Sequence, residues 1–181
     1  MVNGFRWRIA VGLVMLAVLG LAAGASAADN KASRTKDSKK ALALFKEADG
    51  SLTATLEKAA GYAIFPTVGK GGVGIGGAHG KGQVWEKGEP VGETSLTQVS
   101  IGLQLGGQAY AELIIFENQD VLDDFKRGNF EFSAQASAVA AASGASANAK
   151  FEHGVKVLTL AKKGLMYEAS VGGQKFGYRS Y

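Results

Sequence analysis

The chain has 181 residues and a formal net charge of +4, from 20 Lys and Arg against 16 Asp and Glu. It contains no cysteine, which excludes disulfide bonds and a lipid attached through cysteine, so the protein is not a lipoprotein of that kind.

The first 27 residues have the pattern of a secretory signal peptide. Arg6 and Arg8 precede an apolar run over residues 9–23, and an Ala-Ser-Ala sequence follows at residues 25–27. A run of about 15 apolar residues is shorter than the roughly 20 that a spanning helix needs, although a membrane anchor is the alternative. We predict cleavage after Ala27 and a periplasmic or secreted protein, peripherally associated with the membrane. The remaining 181 − 27 = 154 residues favour one domain, with residues 38–181 as its folded part.

Basic residues are concentrated near the start of this mature chain. Residues 28–37 lack periodicity and are rich in Lys, Ser, Asp and Asn, which predicts a flexible leader. A basic segment of this kind favours an anionic surface, although a solvated leader that only aids solubility explains it equally well. The lysines selected as candidate lipid contacts are Lys36, Lys39, Lys40 and Lys46.

Two helices are predicted after the leader. Ser38 can cap the first, whose apolar residues recur at spacings of three and four and include Leu42 and Phe45. A second, short helix is predicted over residues 52–60, and Gly61 ends it.

Residues 61–86 predict two strands with an unusual glycine content. Residues of one parity share a face of a pleated strand, so the glycines leave a bare face that another element or a ligand can approach closely. The predicted structural glycines are Gly71, Gly72, Gly74, Gly76, Gly80 and Gly82. Lys70 is predicted to lie in a glycine-flanked turn over residues 68–72, whose amides could form an anion-binding nest. An ordinary solvated lysine is the alternative.

Further elements follow in order. Residues 87–90 carry a turn signal, and Gly106 and Gly107 allow a turn or bulge. Residues 99–105 alternate apolar and polar side chains, which predicts a strand whose valine, isoleucine and leucines are buried. Residues 110–116 predict a central strand. Its Glu112 is predicted to pair with a lysine at the sheet rim, and a catalytic role is the alternative. A helix capped by Asn118 or Asp120 should end at Gly128. The remaining predictions are a strand over residues 130–140, a loop over 143–150 and three short strands between 155 and 178 with turns at 162–164 and 172–173.

These elements predict an α+β fold with eight or nine short strands. Turns too short for a parallel crossover indicate a strongly curved antiparallel sheet or partly closed barrel. The two amino-terminal helices and the one inserted helix should pack on it. A complete barrel is the alternative.

No motif predicts catalysis. Residues 72–77 satisfy G-x-G-x-x-G, but a strand follows where a dinucleotide site needs a helix. His79 and His153 are the only histidines and lack metal-ligand spacing. No serine lies in G-x-S-x-G. We therefore predict a protein that is not an enzyme and has no cofactor, metal or nucleic-acid partner.

Three segments carry a resemblance to a known family. They are Ala63–Gly82, with Ile-Phe-Pro, Lys70 and the paired glycines; Ser100–Gln108, a glycine-glutamine strand; and Gly164–Lys175, with Val-Gly-Gly-Gln-Lys. Together they resemble the SYLF domain, also called the Ysc84 family, over residues 41–178. The resemblance implies a non-enzymatic lipid-binding module, whose eukaryotic members bind phosphoinositides and in some cases bind and bundle actin. It also places Lys70 in the family pattern. The chain departs from those members by its signal peptide and by the lack of an SH3 domain.

The resulting hypothesis is an envelope protein that binds anionic phospholipid or glycolipid through its basic amino-terminal helix, with Lys70 as a further contact. The alternative is a structural or protein-interaction role in the periplasm, with an envelope protein as partner.

Overall fold

The computed structural model describes residues 29–128, 131–132, 139–140 and 143–181. The chain divides into two units, Met1–Lys36 and Asp37–Tyr181. Residues 29–36, the described part of the first unit, are helical, and the Thr35 hydroxyl donates to the Lys31 carbonyl at 2.8 Å. Among the described residues, no helix combines the length and the hydropathy needed to cross a membrane. The predicted signal peptide lies outside these residues.

The fold is α+β, as predicted. Helix α1 covers residues 29–48, so residues 29–37 are helical and the prediction of a flexible leader there is wrong. The other elements are α2 (Leu52–Lys58), β1 (Gly61–Glu86), β2 (Glu89–Phe116), α3 (Gln119–Lys126), β3 (Glu131–Phe132), β4 (Val139–Ala140), α4 (Ala145–Asn148) and β5 (Val155–Ser180).

Three long strands form the sheet. β1, β2 and β5 have 26, 28 and 26 residues and are antiparallel neighbours in the order β1-β2-β5-β3. β4 pairs with β5 in parallel, and the sheet is open in the described part of the chain. The eight or nine short strands predicted from the sequence are therefore wrong, because several predicted turns are extended. Gly107, for example, pairs with both Gly71 and Leu165. Glycine tolerates both a turn and a strand, so the ladder on either side decided the conformation.

Local sequence signals predicted the turn after β1 and the ends of α3 more accurately than they predicted the number of strands. The turn between β1 and β2 lies at Lys87 and Gly88, both with positive φ. Asn118 caps helix α3, since its side chain accepts from the Val121 amide at 3.1 Å, and Gly128 follows the helix at φ +79°. Residues 143–150 contain the short helix α4 rather than only a loop. Of the strand predicted over 130–140, residues 131–132 and 139–140 are strands and the rest lies outside the described residues.

The long strands fold back on themselves near their middle. In β1 the bend is at Gly74, which has φ +71° and lies where the register with β2 shifts. Beyond the bend, the second half of β1 returns along the first. A Cβ on Gly61 would lie 2.5 Å from the Trp85 carbonyl oxygen, and one on Gly82 would overlap the Ile64 carbonyl oxygen.

The predicted structural glycines occupy different environments along this bend. A Cβ on Gly72 would collide with Gly76, and one on Gly80 would lie 2.8 Å from the Val68 side chain. A Cβ on Gly71 would make ordinary contact with Gly106 at 3.5 Å. Gly74, by contrast, faces open space, so its glycine is required by the positive φ and not by a covered face.

Two apolar clusters stabilise the folded-back sheet. The first fills the space between the two halves and includes Phe65, Leu96, Ile114 and Phe176. Helix α3 adds Phe125, whose ring centre is 4.8 Å from Phe116 and 5.4 Å from Phe176.

The second cluster lies under the amino-terminal helices. Phe45 and Leu52 are fully buried against Ile64, Leu113 and Ile115. Leu42 is partly buried against the same cluster. The prediction that α1 packs on the sheet through Leu42 and Phe45 is confirmed.

The close approach within β1 should make Gly82 intolerant of a side chain. Gly82→Ala should destabilise the protein by about 1–3 kcal/mol, because the Ile64 carbonyl must move. Gly69→Ala is the matched control, since nothing lies within 4 Å of its Cβ position. It should change the free energy of unfolding by less than about 0.5 kcal/mol. Urea unfolding of both variants measures the difference, and equal midpoints would contradict this account of the bend.

Candidate functional site

Large aliphatic side chains are exposed where the sheet bends. Val73 and Leu105 are cross-strand partners, as are Ile75 and Ile101, so the side chains adjoin one another. We call this surface the apolar bend. Its members and exposures are Val73 (76%), Ile75 (67%), Val99 (61%), Ile101 (67%) and Leu105 (63%).

The usual arrangement of apolar and polar faces is reversed at the apolar bend. Gln98 and Ser100 are 2% and 1% exposed. The residues that follow each of them, Val99 and Ile101, point outward. The prediction that the apolar side chains of residues 99–105 are buried is therefore wrong for Val99, Ile101 and Leu105. Period-two alternation shows which residues share a face, but it does not show which face is turned to the core.

A polar cluster occupies the interior near the apolar bend. The Gln174 side-chain amide donates to Glu112 Oε2 at 3.0 Å and lies 3.4 Å from Gln98 Oε1. Burial raises the pKa of Glu112 to about 7, while the Gln174 hydrogen bond and the charge of Lys70 act in the opposite direction. Glu112 is 1% exposed, so its predicted place at the sheet rim is wrong, although a lysine does act on it electrostatically.

Lys70 lies in β1 and not in a turn. It pairs with Gln108 across the β1-β2 ladder and is buried at 6% exposure. Since the neighbouring glycines continue the strand, the predicted nest of turn amides does not form. The structure therefore separates Lys70 from the exposed lysines and brings it to the polar cluster.

The other predicted lysines lie on α1. In the second unit, Lys39, Lys40 and Lys46 are exposed, and the Lys39 ammonium is 5.9 Å from the centre of the Trp85 ring. Lys39 and Lys46 are seven residues apart and thus lie on one side of the helix. In the first unit, Lys36 is exposed on its own helical segment.

The described residues show no cluster of metal-binding side chains. No group of three or more His, Asp or Glu side chains among them is arranged to hold a metal ion.

The carboxyl-terminal part of the chain matches a known family model. Residues 97–181 match Ysc84, described as "Las17-binding protein actin regulator". This segment belongs to the Ysc84 family. The resemblance inferred from the sequence motifs is thereby confirmed, and the Ysc84 segment contains the second and third motifs but begins after the first. It supplies Val99, Ile101 and Leu105 of the apolar bend and Gln98, Glu112 and Gln174 of the polar cluster.

One curated relative also shares sequence with the chain. Beta cell expansion factor A from Aeromonas veronii is 29% identical over 72 residues, which are 40% of this chain and 28% of that protein. The chain thus matches little more than a quarter of the length of this relative.

The apolar bend is the feature that sequence reasoning missed. Val73 and Ile75 stand among glycines in β1, and Val99, Ile101 and Leu105 alternate with polar residues in β2. The sequence did contain one signal for it, the glutamines and serines that alternate with these aliphatic residues. Such polar residues can occupy the inward-facing positions of a folded-back sheet, which leaves the aliphatic residues on the outside.

The buried carboxyl of Glu112 should make stability depend on pH. Its pKa is raised from 4.5 to about 7, so the folded state binds the proton more tightly than the unfolded chain. The stabilisation is complete below about pH 4.5 and is lost as the pH rises through about 7, with a slope of at most about 1.4 kcal/mol per pH unit. Glu112→Gln should remove this loss and melt higher than the parent protein at pH 8.

Thermal unfolding followed by circular dichroism at pH 5 and pH 8 tests this. Glu89→Gln, at an exposed position of β2, is the control and should keep the pH dependence of the parent protein. If Glu112→Gln keeps it as well, the buried carboxyl is not its source.

Proposed function

We propose that this protein is a non-enzymatic lipid-binding module that attaches to anionic membrane surfaces. The apolar bend enters the lipid interface, and the exposed lysines of α1 are attracted to the headgroups. The observation that carries the proposal is the exposure of five adjoining aliphatic side chains, each more than 60% exposed. Contiguous apolar surface of this kind marks interaction or membrane sites on soluble domains.

The reversed faces support a lipid contact in particular. At the apolar bend, the strands present aliphatic groups outward and amides, a hydroxyl and a carboxyl inward. This distribution suits an apolar surrounding better than water, since burying one such side chain contributes about 1.5–3 kcal/mol. A contribution from apolar burial does not depend on salt.

The lysines would add an electrostatic contribution. Each lysine close to an anionic membrane contributes about 1 kcal/mol, which gives roughly 3 kcal/mol for Lys39, Lys40 and Lys46. Screening over a Debye length of about 8 Å weakens this attraction as salt increases. The proposed attachment therefore has one salt-sensitive and one salt-insensitive part.

The choice of a membrane as the binding target follows from the predicted compartment. The Ysc84 description refers to an actin regulator, but an exported chain is not expected to meet actin. We propose an anionic phospholipid or glycolipid of the bacterial envelope as the target.

The apolar contribution can be tested by vesicle flotation. The triple variant Val73→Thr, Ile75→Thr and Ile101→Thr keeps strand-favouring, β-branched residues at exposed positions. It should reduce binding to anionic vesicles at least tenfold in 0.5 M salt, about the least that the loss of three partly buried side chains implies. Its melting temperature should stay within about two degrees of the parent value, since exposed substitutions rarely change stability by more than about 0.5 kcal/mol. Undiminished flotation in high salt would remove the apolar bend from the proposal.

The electrostatic contribution needs a charge-matched control. Changing Lys39, Lys40 and Lys46 to Gln should weaken binding at low salt and flatten its salt dependence. The control changes three exposed lysines outside α1, namely Lys81, Lys87 and Lys150, to Gln. Equal loss in both variants would show that only net charge matters, and Lys36→Gln tests the first unit separately.

A protein-interaction role remains the second candidate, with one observation in its favour. β1 is an edge of the described sheet, and an edge strand can pair with a strand of a partner. Recovery of one stoichiometric envelope protein, together with no flotation on any vesicle, would favour this role.

A further inference from the structure

A pocket lies on the side of the sheet that carries the helices. Its volume is about 460 Å³, within the range of small-molecule sites. α2, α4 and the start of β5 supply most of its lining, and none of its residues belongs to the apolar bend. The wall combines an aromatic ring and alanines with hydroxyls, two lysines and one carboxylate, chiefly from Ser51, Thr55, Lys58, Glu117, Phe151 and Lys156.

Lys156 is the unusual residue of this pocket. It follows the first residue of β5 and is 6% exposed, next to the strand positions that carry the apolar cores. Its ammonium donates to the Ser146 carbonyl at 2.5 Å and lies 4.5 Å from the centre of the Phe151 ring. Within the described part of the chain it forms no ion pair, so two of its three N–H donors remain for a ligand or water.

Nearby negative charges compensate the positive charge of Lys156 only in part. Burial lowers the pKa of Lys156, and the more distant negative charges of Asp49 and Glu117 act in the opposite direction. A buried cation without a close carboxylate is costly unless another anion approaches it. A leucine or methionine would fill the same position without that cost.

The wall beside Lys156 is held rigidly by Asp49. The Asp49 carboxylate accepts hydrogen bonds from the amides of Ser51, Gly144 and Ser146, at 3.0, 3.0 and 2.6 Å. The hydroxyls of Ser51 and Ser146 are 2.9 Å apart. These hydrogen bonds stabilise the negative charge of Asp49. They hold the pKa of this carboxyl below its ordinary value, although burial acts to raise it. The pocket is thus preformed between α2 and α4.

We propose that this pocket binds a small organic anion, with a carboxylate or phosphate head on a short apolar body. The head lies against the ammonium groups of Lys156 and Lys58, and the body lies along Phe151 and Ala54. Glu117, also in the lining, opposes the negative charge and so limits affinity. The site is independent of the proposed lipid attachment, because the apolar bend contributes nothing to it.

Isothermal titration calorimetry with four six-carbon probes tests the proposal. Hexanoate and hexyl phosphate represent the two possible head groups, while hexanol and hexylammonium are the neutral and cationic controls. Saturable binding of either anion, at least tenfold tighter than both controls, is the expected result. Failure of both anions to exceed the controls overturns the proposal.

Variants locate the bound anion. Lys156→Met should weaken binding of the anion at least tenfold, and Lys58→Gln, at an exposed position, should weaken it several-fold. Glu117→Gln should strengthen it, because a like charge is removed. Lys46→Gln, on α1, should leave affinity unchanged while vesicle flotation responds to it. Unchanged affinity in Lys58→Gln and Lys156→Met, or equal loss in Lys46→Gln, places the anion elsewhere and overturns the assignment.

Discussion

The structure depends on the close approach of the two halves of β1 across glycine. At Gly61 and Gly82 the opposing carbonyl oxygens occupy the space in which any other residue would place its Cβ. Only this approach allows a 26-residue strand to return along itself and to carry β2 and β5 with it. The main apolar core then lies between two halves of one sheet, where a sandwich would use two separate sheets.

Folding back also determines what the bend exposes. Near the turn at Gly74, the buried positions include Gln98, Glu112 and Gln174. The outward positions carry the valines, isoleucines and leucine of the apolar bend. The same geometry therefore places the buried polar cluster behind the apolar surface that the proposed membrane contact uses.

The two proposed sites use different physical chemistry. The apolar bend offers apolar contact area, whose interactions are not directional, and this suits a fluid surface such as lipid. The pocket beside Lys156 offers directed donors in a frame fixed by Asp49, which suits one small anion. A protein with both sites could attach to a membrane and sense a soluble anion separately.

The sequence by itself determined the local features of this protein. The Asn118 cap, the glycine after α3, the turn at Lys87 and the packing of Phe45 were all predictable, because each depends on residues close in the chain or on one helix face. Tertiary structure decided the rest. Whether Gly107 turns or continues a strand depends on Gly71 and Leu165, and which face of residues 98–105 is buried depends on Glu112 and Gln174 across the fold. Likewise, Lys70 became a buried partner of Glu112 and not a turn residue, since partners distant in sequence set its surroundings.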